Sequence, residues 1–175
     1  IKMHIAPKSD AQPKVFQPFP LSDFDQIRLE FHEDQEIAQG KARWATEAEH
    51  SEWGSVSYVV DQSGKGLLGR PVRDYRWVNS QTDDEVWPSP SGERCLNRTQ
   101  RAALISTLDC IWGYTQCEVD SATSDLLALV SRRGVIKPLV LYFGPKQGPA
   151  LFQRTFGHLR DEEQSEFTVI FLDDC

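Results

Sequence analysis

The sequence has no long apolar run, no block of basic residues and no closely spaced pair of cysteines. The longest apolar run, residues 139–143, is strand-sized, whereas a membrane helix needs roughly 20 such residues. Nucleic-acid binders usually neutralise phosphates with a basic patch, but this chain has 19 basic and 26 acidic residues and a formal net charge of −7. We therefore expect no membrane partner and no nucleic acid partner. The sequence leaves the oligomeric state open.

The cysteines are also widely spaced. Zinc ribbons and dithiol redox enzymes typically carry a C-x-x-C pair, so the sequence predicts no metal site and no cofactor. An even number of cysteines would allow disulfides, although 175 residues bury enough surface to fold without them. No charged-then-apolar leader opens the sequence, so we expect no signal peptide. Both a cytoplasmic protein and a periplasmic or secreted one fit this pattern, and the redox state stays open for Cys95, Cys110, Cys117 and Cys175.

Proline content and hydrophobic periodicity predict a single α+β domain. Four prolines within residues 1–25 predict an extended arm that packs on the body, and residues 26–175 then form one domain. Period-two alternation predicts strands in the N-terminal half, which we expect to pair antiparallel. These strands are residues 27–31, 53–60 and 72–78. The stretch 33–52 has two readings, because its apolar residues fit a helical stripe and a strand at 42–46 is the alternative.

The C-terminal half predicts helices and two buried strands. Helical spacing predicts one helix from about residue 97 to 113 and a second that opens at Ser124. Residues 139–143 are continuously apolar and residues 167–172 are apolar except for Thr168, which is typical of strands buried on both faces. A helix over 149–160 separates them, and a connection of this length joins parallel neighbours. The predicted fold is therefore a mixed sheet, with antiparallel N-terminal strands and a C-terminal βαβ unit.

Aromatic and acidic residues lie close together in the N-terminal half. The turn Asp83, Asp84 and Glu85 lies between Trp77 and Trp87. Aromatic anchors with an acidic rim are typical of a protein-binding face. On this basis the sequence predicts a non-catalytic acidic interaction module, of inhibitor or immunity type, that binds a basic protein partner.

The alternative is a small enzyme, a hydrolase or transferase, whose site lies near the carboxyl ends of the C-terminal strands. Lys146 and Gly148 lie between a predicted strand and the start of a helix, where free amides can hold an anion. Asp173 and Asp174 follow the last predicted strand, and two adjacent carboxylates can bind Mg²⁺ or act as acid and base. The sequence alone assigns no catalytic residue.

Overall fold

The computed structural model describes residues 2–62, 66–87, 92–100, 102–106 and 113–159. In chain order the elements are α1 (Asp23–Ala38), β1 (Ala42–Trp44), β2 (Ser55–Val60), β3 (Arg70–Asp74), α2 (Arg76–Gln81), α3 (Gly92–Thr99), α4 (Ser121–Leu126), β4 (Leu129–Ser131), β5 (Gly134–Pro138) and α5 (Gly148–Leu159). Within the described residues, the strands form one sheet in the order β1-β5-β4-β2-β3. The β2–β4 pair is parallel and the other pairs are antiparallel. The predicted α+β class with a mixed sheet is confirmed.

Helix α1 replaces the strand predicted at residues 27–31, so that prediction is wrong. The Ser22 side chain caps the helix by accepting a hydrogen bond from the amide of Asp25. Leu29 is buried against the body, whereas Ile27 and Phe31 are 67% and 41% exposed. Alternation over five residues therefore did not mark one buried face here. The helix has a period of 3.6 residues, and only part of this apolar set faces inward.

The two readings of residues 33–52 each describe part of the structure. Helix α1 continues to Ala38, and β1 then begins at Ala42. Gly40 lies between them with a φ of 69°, a left-handed conformation that favours glycine and ends the helix. The strand predicted at 53–60 is present as β2. The strand predicted at 72–78 is shorter, because the chain turns into α2 after Asp74.

The N-terminal arm lies along the body through single bridges rather than a continuous strand. Its bridges pair Met3 with Val119, Pro7 with Thr82 and Val15 with Gly54. Met3 and Ile5 are 3% and 2% exposed, so this end of the arm is part of the core. The division of the chain at residue 25 stays a prediction, and α1 begins at Asp23.

The helix predicted from Ser124 begins earlier and is short. Asp120 caps α4 by accepting a hydrogen bond from the amide of Thr123, and the helix ends at Leu126. The next apolar residues form β4 instead of more helix, which corrects the prediction. The helix predicted at about 97–113 is also displaced: α3 ends at Thr99, residues 102–106 are not helical, and residues 107–112 lie outside the described part.

The first strand of the predicted βαβ unit is displaced toward the N-terminus. The strand is β5, and residues 139–143 follow it without continuing the ladder, apart from a bridge between Val140 and Glu118. The predicted helix is present as α5, and the predicted strand 167–172 lies outside the described residues. Leu141 and Tyr142 are buried nonetheless. Their apolar character reflects burial in a loop that packs between β3 and α5, a position that periodicity does not distinguish from a strand.

None of the described helices is both long and apolar enough to cross a membrane.

Candidate functional site

Three side chains from distant parts of the chain form an aromatic and cationic surface. We call Arg70, Tyr114 and Phe143 the platform. The rings of Tyr114 and Phe143 meet edge to face, with centroids 4.6 Å apart and an interplanar angle of 68°. The Arg70 guanidinium carbon lies 5.4 Å from the centroid of the Phe143 ring. Arg70 is exposed and Phe143 is 39% exposed, so solvent reaches both the ring and the cation that lies over it.

Helix α5 packs against the platform through the ring of Phe152. Phe152 is fully buried, and its ring centroid is 5.0 Å from that of Tyr114. Tyr114 belongs to a 3-10 turn, Gly113–Gln116, and is itself 8% exposed. Packing on both sides fixes the ring of Tyr114, which in turn limits where Phe143 can lie.

Tyr142, the residue before Phe143, belongs to a largely buried network of charged and polar groups. The Glu36 carboxylate on α1 accepts hydrogen bonds from the Arg73 guanidinium on β3 and from the Tyr142 hydroxyl, the latter at 2.8 Å. The Arg73 guanidinium carbon is also 3.9 Å from the centroid of the Tyr142 ring. Burial raises the pKa of the Tyr142 phenol, and the negative charge of Glu36 raises it further. The phenol is therefore neutral at ordinary pH and acts as a donor.

A second buried tyrosine, Tyr75, connects the end of β3 to the segment between α4 and β4 and contacts the same loop. The Tyr75 hydroxyl donates to the Leu127 carbonyl at 3.0 Å, and burial raises the pKa of this phenol. Gly144 passes directly over its ring with a φ of 124°. A Cβ on Gly144 would lie 2.9 Å from Cδ2 of Tyr75, so only glycine fits this turn.

The acidic turn predicted as a partner-binding surface lies against the α5 end of this loop. Asp84 pairs with Lys146 at 2.9 Å, and Glu85 pairs with Arg154 at 2.6 Å. The Asp83 carbonyl accepts a hydrogen bond from the Gln147 side chain. The hydrogen bond from Lys146 lowers the pKa of the Asp84 carboxyl. Two of the three acidic residues thus have cationic partners within the chain, although Asp84 remains exposed.

The two tryptophans of that predicted surface are both partly buried. Trp77 donates from Nε1 to the Gln12 carbonyl at 3.0 Å, and the Lys14 ammonium lies 5.1 Å from the centroid of its ring. Trp77 therefore anchors the N-terminal arm. Partner binding by Trp77, Trp87 and the acidic turn stays a prediction.

The predicted anion site at the start of α5 uses its amides within the protein. The Lys146 amide donates to the Asn79 side chain at 2.8 Å, and the Gly148 amide donates to the Pro145 carbonyl at 3.0 Å. An anion would have to compete with these bonds and with Asp84, so anion binding by Lys146 and Gly148 stays a prediction. The structure does bring the two predicted surfaces together, because Lys146 joins both.

Asp173 and Asp174 lie outside the described residues. Within the described part of the chain, no group of three His, Cys, Asp or Glu residues is arranged to hold a metal ion. Sequence reasoning missed the platform, since its members are separated by tens of residues. One usable indication is Phe143, an apolar residue immediately before a Gly-Pro turn, although its apolar neighbours predict a buried strand there.

Comparison with known proteins relates the chain to retroelement polyproteins. It is 25% identical over 171 residues to the retrovirus-related Pol polyprotein from transposon 297 of Drosophila melanogaster, covering 98% of this chain and 16% of that protein. It is 23% identical over 164 residues to a putative enzymatic polyprotein of Cassava vein mosaic virus, and the match covers 93% of this chain and 24% of that protein. No family model matches.

Among solved structures, the fold is similar to the protease–reverse transcriptase of prototype foamy virus. The TM-score is 0.79 at 20% sequence identity, and the match covers 99% of this chain and 22% of that chain. This likeness shows the fold. The chain thus spans less than a quarter of the length of each of these proteins.

These relatives correct the functional prediction. A non-catalytic inhibitor or immunity-type module is wrong, because the matching proteins are Pol and enzymatic polyproteins. The prediction rests on tryptophans beside an acidic turn, and the sequence does not show that Asp84 and Glu85 pair with Lys146 and Arg154. The alternative, an enzyme, is the better supported reading.

Proposed function

We propose that this chain is the nucleotide-binding part of a reverse-transcriptase-type polymerase, which adds nucleotides to a primer on a nucleic acid template. The observation that carries the proposal is the match along 99% of the chain to a protease–reverse transcriptase. Its substrates would be a nucleoside triphosphate and a primed template. This proposal replaces the expectation that the chain has no nucleic acid partner.

The chemistry of the platform supports the proposal. An exposed aromatic ring gives a nucleobase or sugar a face to pack on, and stacking of this kind stabilises nucleotide complexes. The Arg70 guanidinium, which lies over the ring, can donate paired hydrogen bonds to phosphate oxygens. Arg70 has no carboxylate partner among the described residues, so it has donors to offer a triphosphate.

The paired aspartates supply a second line of support. Polymerases use two divalent metal ions, which stabilise the attacking and leaving oxygens of the transferred phosphoryl group. Asp173 and Asp174 offer the hard oxygen donors that Mg²⁺ prefers.

Equilibrium dialysis with dATP and Mg²⁺ tests the platform. Phe143→Ala and Arg70→Ala should each weaken binding by about tenfold, the loss expected for one stacking or one charge-assisted contact. Phe24→Ala and Arg132→Ala are matched controls, because both side chains are exposed elsewhere on the surface. Equal losses in variants and controls, or no dATP binding by the unmodified chain at millimolar concentration, would contradict the proposal.

Primer extension on an RNA template tests the aspartates. Asp173→Asn and Asp174→Asn should each abolish Mg²⁺-dependent incorporation without changing the melting temperature by more than a few degrees. Asp10→Asn, an exposed residue of the arm, should leave incorporation unchanged. If the chain shortens the nucleic acid instead of extending the primer, it is a nuclease and the polymerase proposal fails.

A further inference from the structure

Glu36 connects three parts of the fold through one carboxylate. It lies on α1, accepts from the Arg73 guanidinium on β3 through Oε1, and accepts from the Tyr142 hydroxyl through Oε2 at 2.8 Å. The Arg73 side chain is 9% exposed and that of Glu36 is 20% exposed. We call Glu36, Arg73 and Tyr142 the clamp.

We propose that the clamp positions Phe143 for ligand binding, and that Glu36 is therefore a positioning residue of the platform. Tyr142 is the residue immediately before Phe143, so the hydroxyl bond to Glu36 fixes the backbone from which Phe143 projects. Gly144 fixes the other side, because its turn packs on the ring of Tyr75. Phe143 is thus held at both neighbours while its own ring remains partly exposed.

The geometry of Arg73 favours positioning over a purely stabilising role. Its guanidinium lies over the Tyr142 ring and bonds Glu36, yet its Nε is buried with no hydrogen-bond partner among the described residues. A buried ion pair with an unsatisfied polar atom stabilises a fold poorly compared with apolar packing. What the clamp does supply is a fixed ring orientation for Tyr142, since one face lies on the cation and the hydroxyl is held at its far end.

The direct test follows Phe143 itself and needs no nucleotide. With 4-fluorophenylalanine at position 143, the parent chain should give one narrow fluorine resonance. Tyr142→Phe, which removes only the hydroxyl, should shift or broaden it, and Glu36→Gln should do the same. Tyr58→Phe, which removes a hydroxyl elsewhere on the sheet, should not. An unchanged resonance in a folded Tyr142→Phe chain would overturn the proposal, and this variant decides the outcome if Glu36→Gln fails to fold.

A second measurement asks whether the position matters for the ligand, and it rests on the proposed function. Tyr142→Phe should weaken dATP binding by about fivefold, a size typical of residues that act through a neighbour. In a Phe143→Ala background the same change should have no further effect on affinity, although its effect on melting temperature persists. An equal loss in both backgrounds would refute a role through Phe143. If the parent chain binds no dATP, the polymerase proposal fails while the fluorine result still decides the clamp.

Discussion

Truncation of Phe152 should destabilise the whole fold and disturb the platform at the same time. Phe152 is fully buried and packs against the ring of Tyr114. Burial of a phenylalanine side chain removes about 200 Å² of accessible surface from contact with water. At about 25 cal/mol per Å² this corresponds to about 5 kcal/mol, and measured Phe→Ala losses of about 3–5 kcal/mol agree. We therefore expect Phe152→Ala to lower the free energy of unfolding by about 4 kcal/mol.

Urea denaturation followed by tryptophan fluorescence measures this loss, and for a chain of this size the melting temperature should fall by roughly 10 °C. Phe24→Ala is the matched control: it makes the same chemical change at a helix position that is 53% exposed, and it should cost less than about 1 kcal/mol. If Phe152→Ala costs no more than Phe24→Ala, then α5 does not pack on Tyr114 as described, and the support of the platform is refuted.

Three further substitutions test local contacts. Lys146→Ala should raise the pKa of Asp84 toward its ordinary value, measured by NMR titration, because the hydrogen bond from Lys146 lowers it; an unchanged pKa would place the acidic turn elsewhere. Gly144→Ala should lower the free energy of unfolding by about 1–3 kcal/mol, since φ is 124° and the new Cβ meets Tyr75; urea denaturation with no loss would contradict this. Burial raises the pKa of Glu33, so this group contributes stability at low pH that is lost as the pH rises above its unfolded-state pKa. Relative to the parent, Glu33→Gln should therefore gain stability as the pH rises through the ordinary glutamate pKa of about 4.3, and a pH profile parallel to the parent's in thermal denaturation would be evidence against it.

Local patterns predict those elements whose apolar spacing is regular within one segment of the chain. The alternation in β2 and the apolar face of α5 each lie within one segment, so their periodicity was sufficient. Helix α1 was missed because Ile27 and Phe31 are apolar but exposed, and a short alternating stretch looks the same in a half-buried strand. Residues 139–143 were misread for a related reason, since a buried loop is as apolar as a buried strand.

The candidate site depended on contacts that no local pattern contains. Arg70, Tyr114 and Phe143 come from three separate segments, and only the fold brings their side chains together. The ion pairs of the acidic turn are likewise absent from any local pattern, because Lys146 and Arg154 are distant in sequence from Asp84 and Glu85. The aspartate pair at 173–174 was visible in the sequence as a possible Mg²⁺ ligand set, and it is the part of the enzyme alternative that the polymerase proposal retains.

The strand order has a consequence for how the chain folds during synthesis. Among the described residues β1 pairs with β5, as Ala42 does with Pro138, and β2 needs β4 on its second side. Until the ribosome has produced these later strands, β2 can pair only with β3, and the edge of β2 that later receives β4 stays open. Long-range pairing of this kind slows folding and leaves open strand edges that can join other chains. We expect fragments that end before β4 to aggregate, so a soluble minimal fragment must extend through β5.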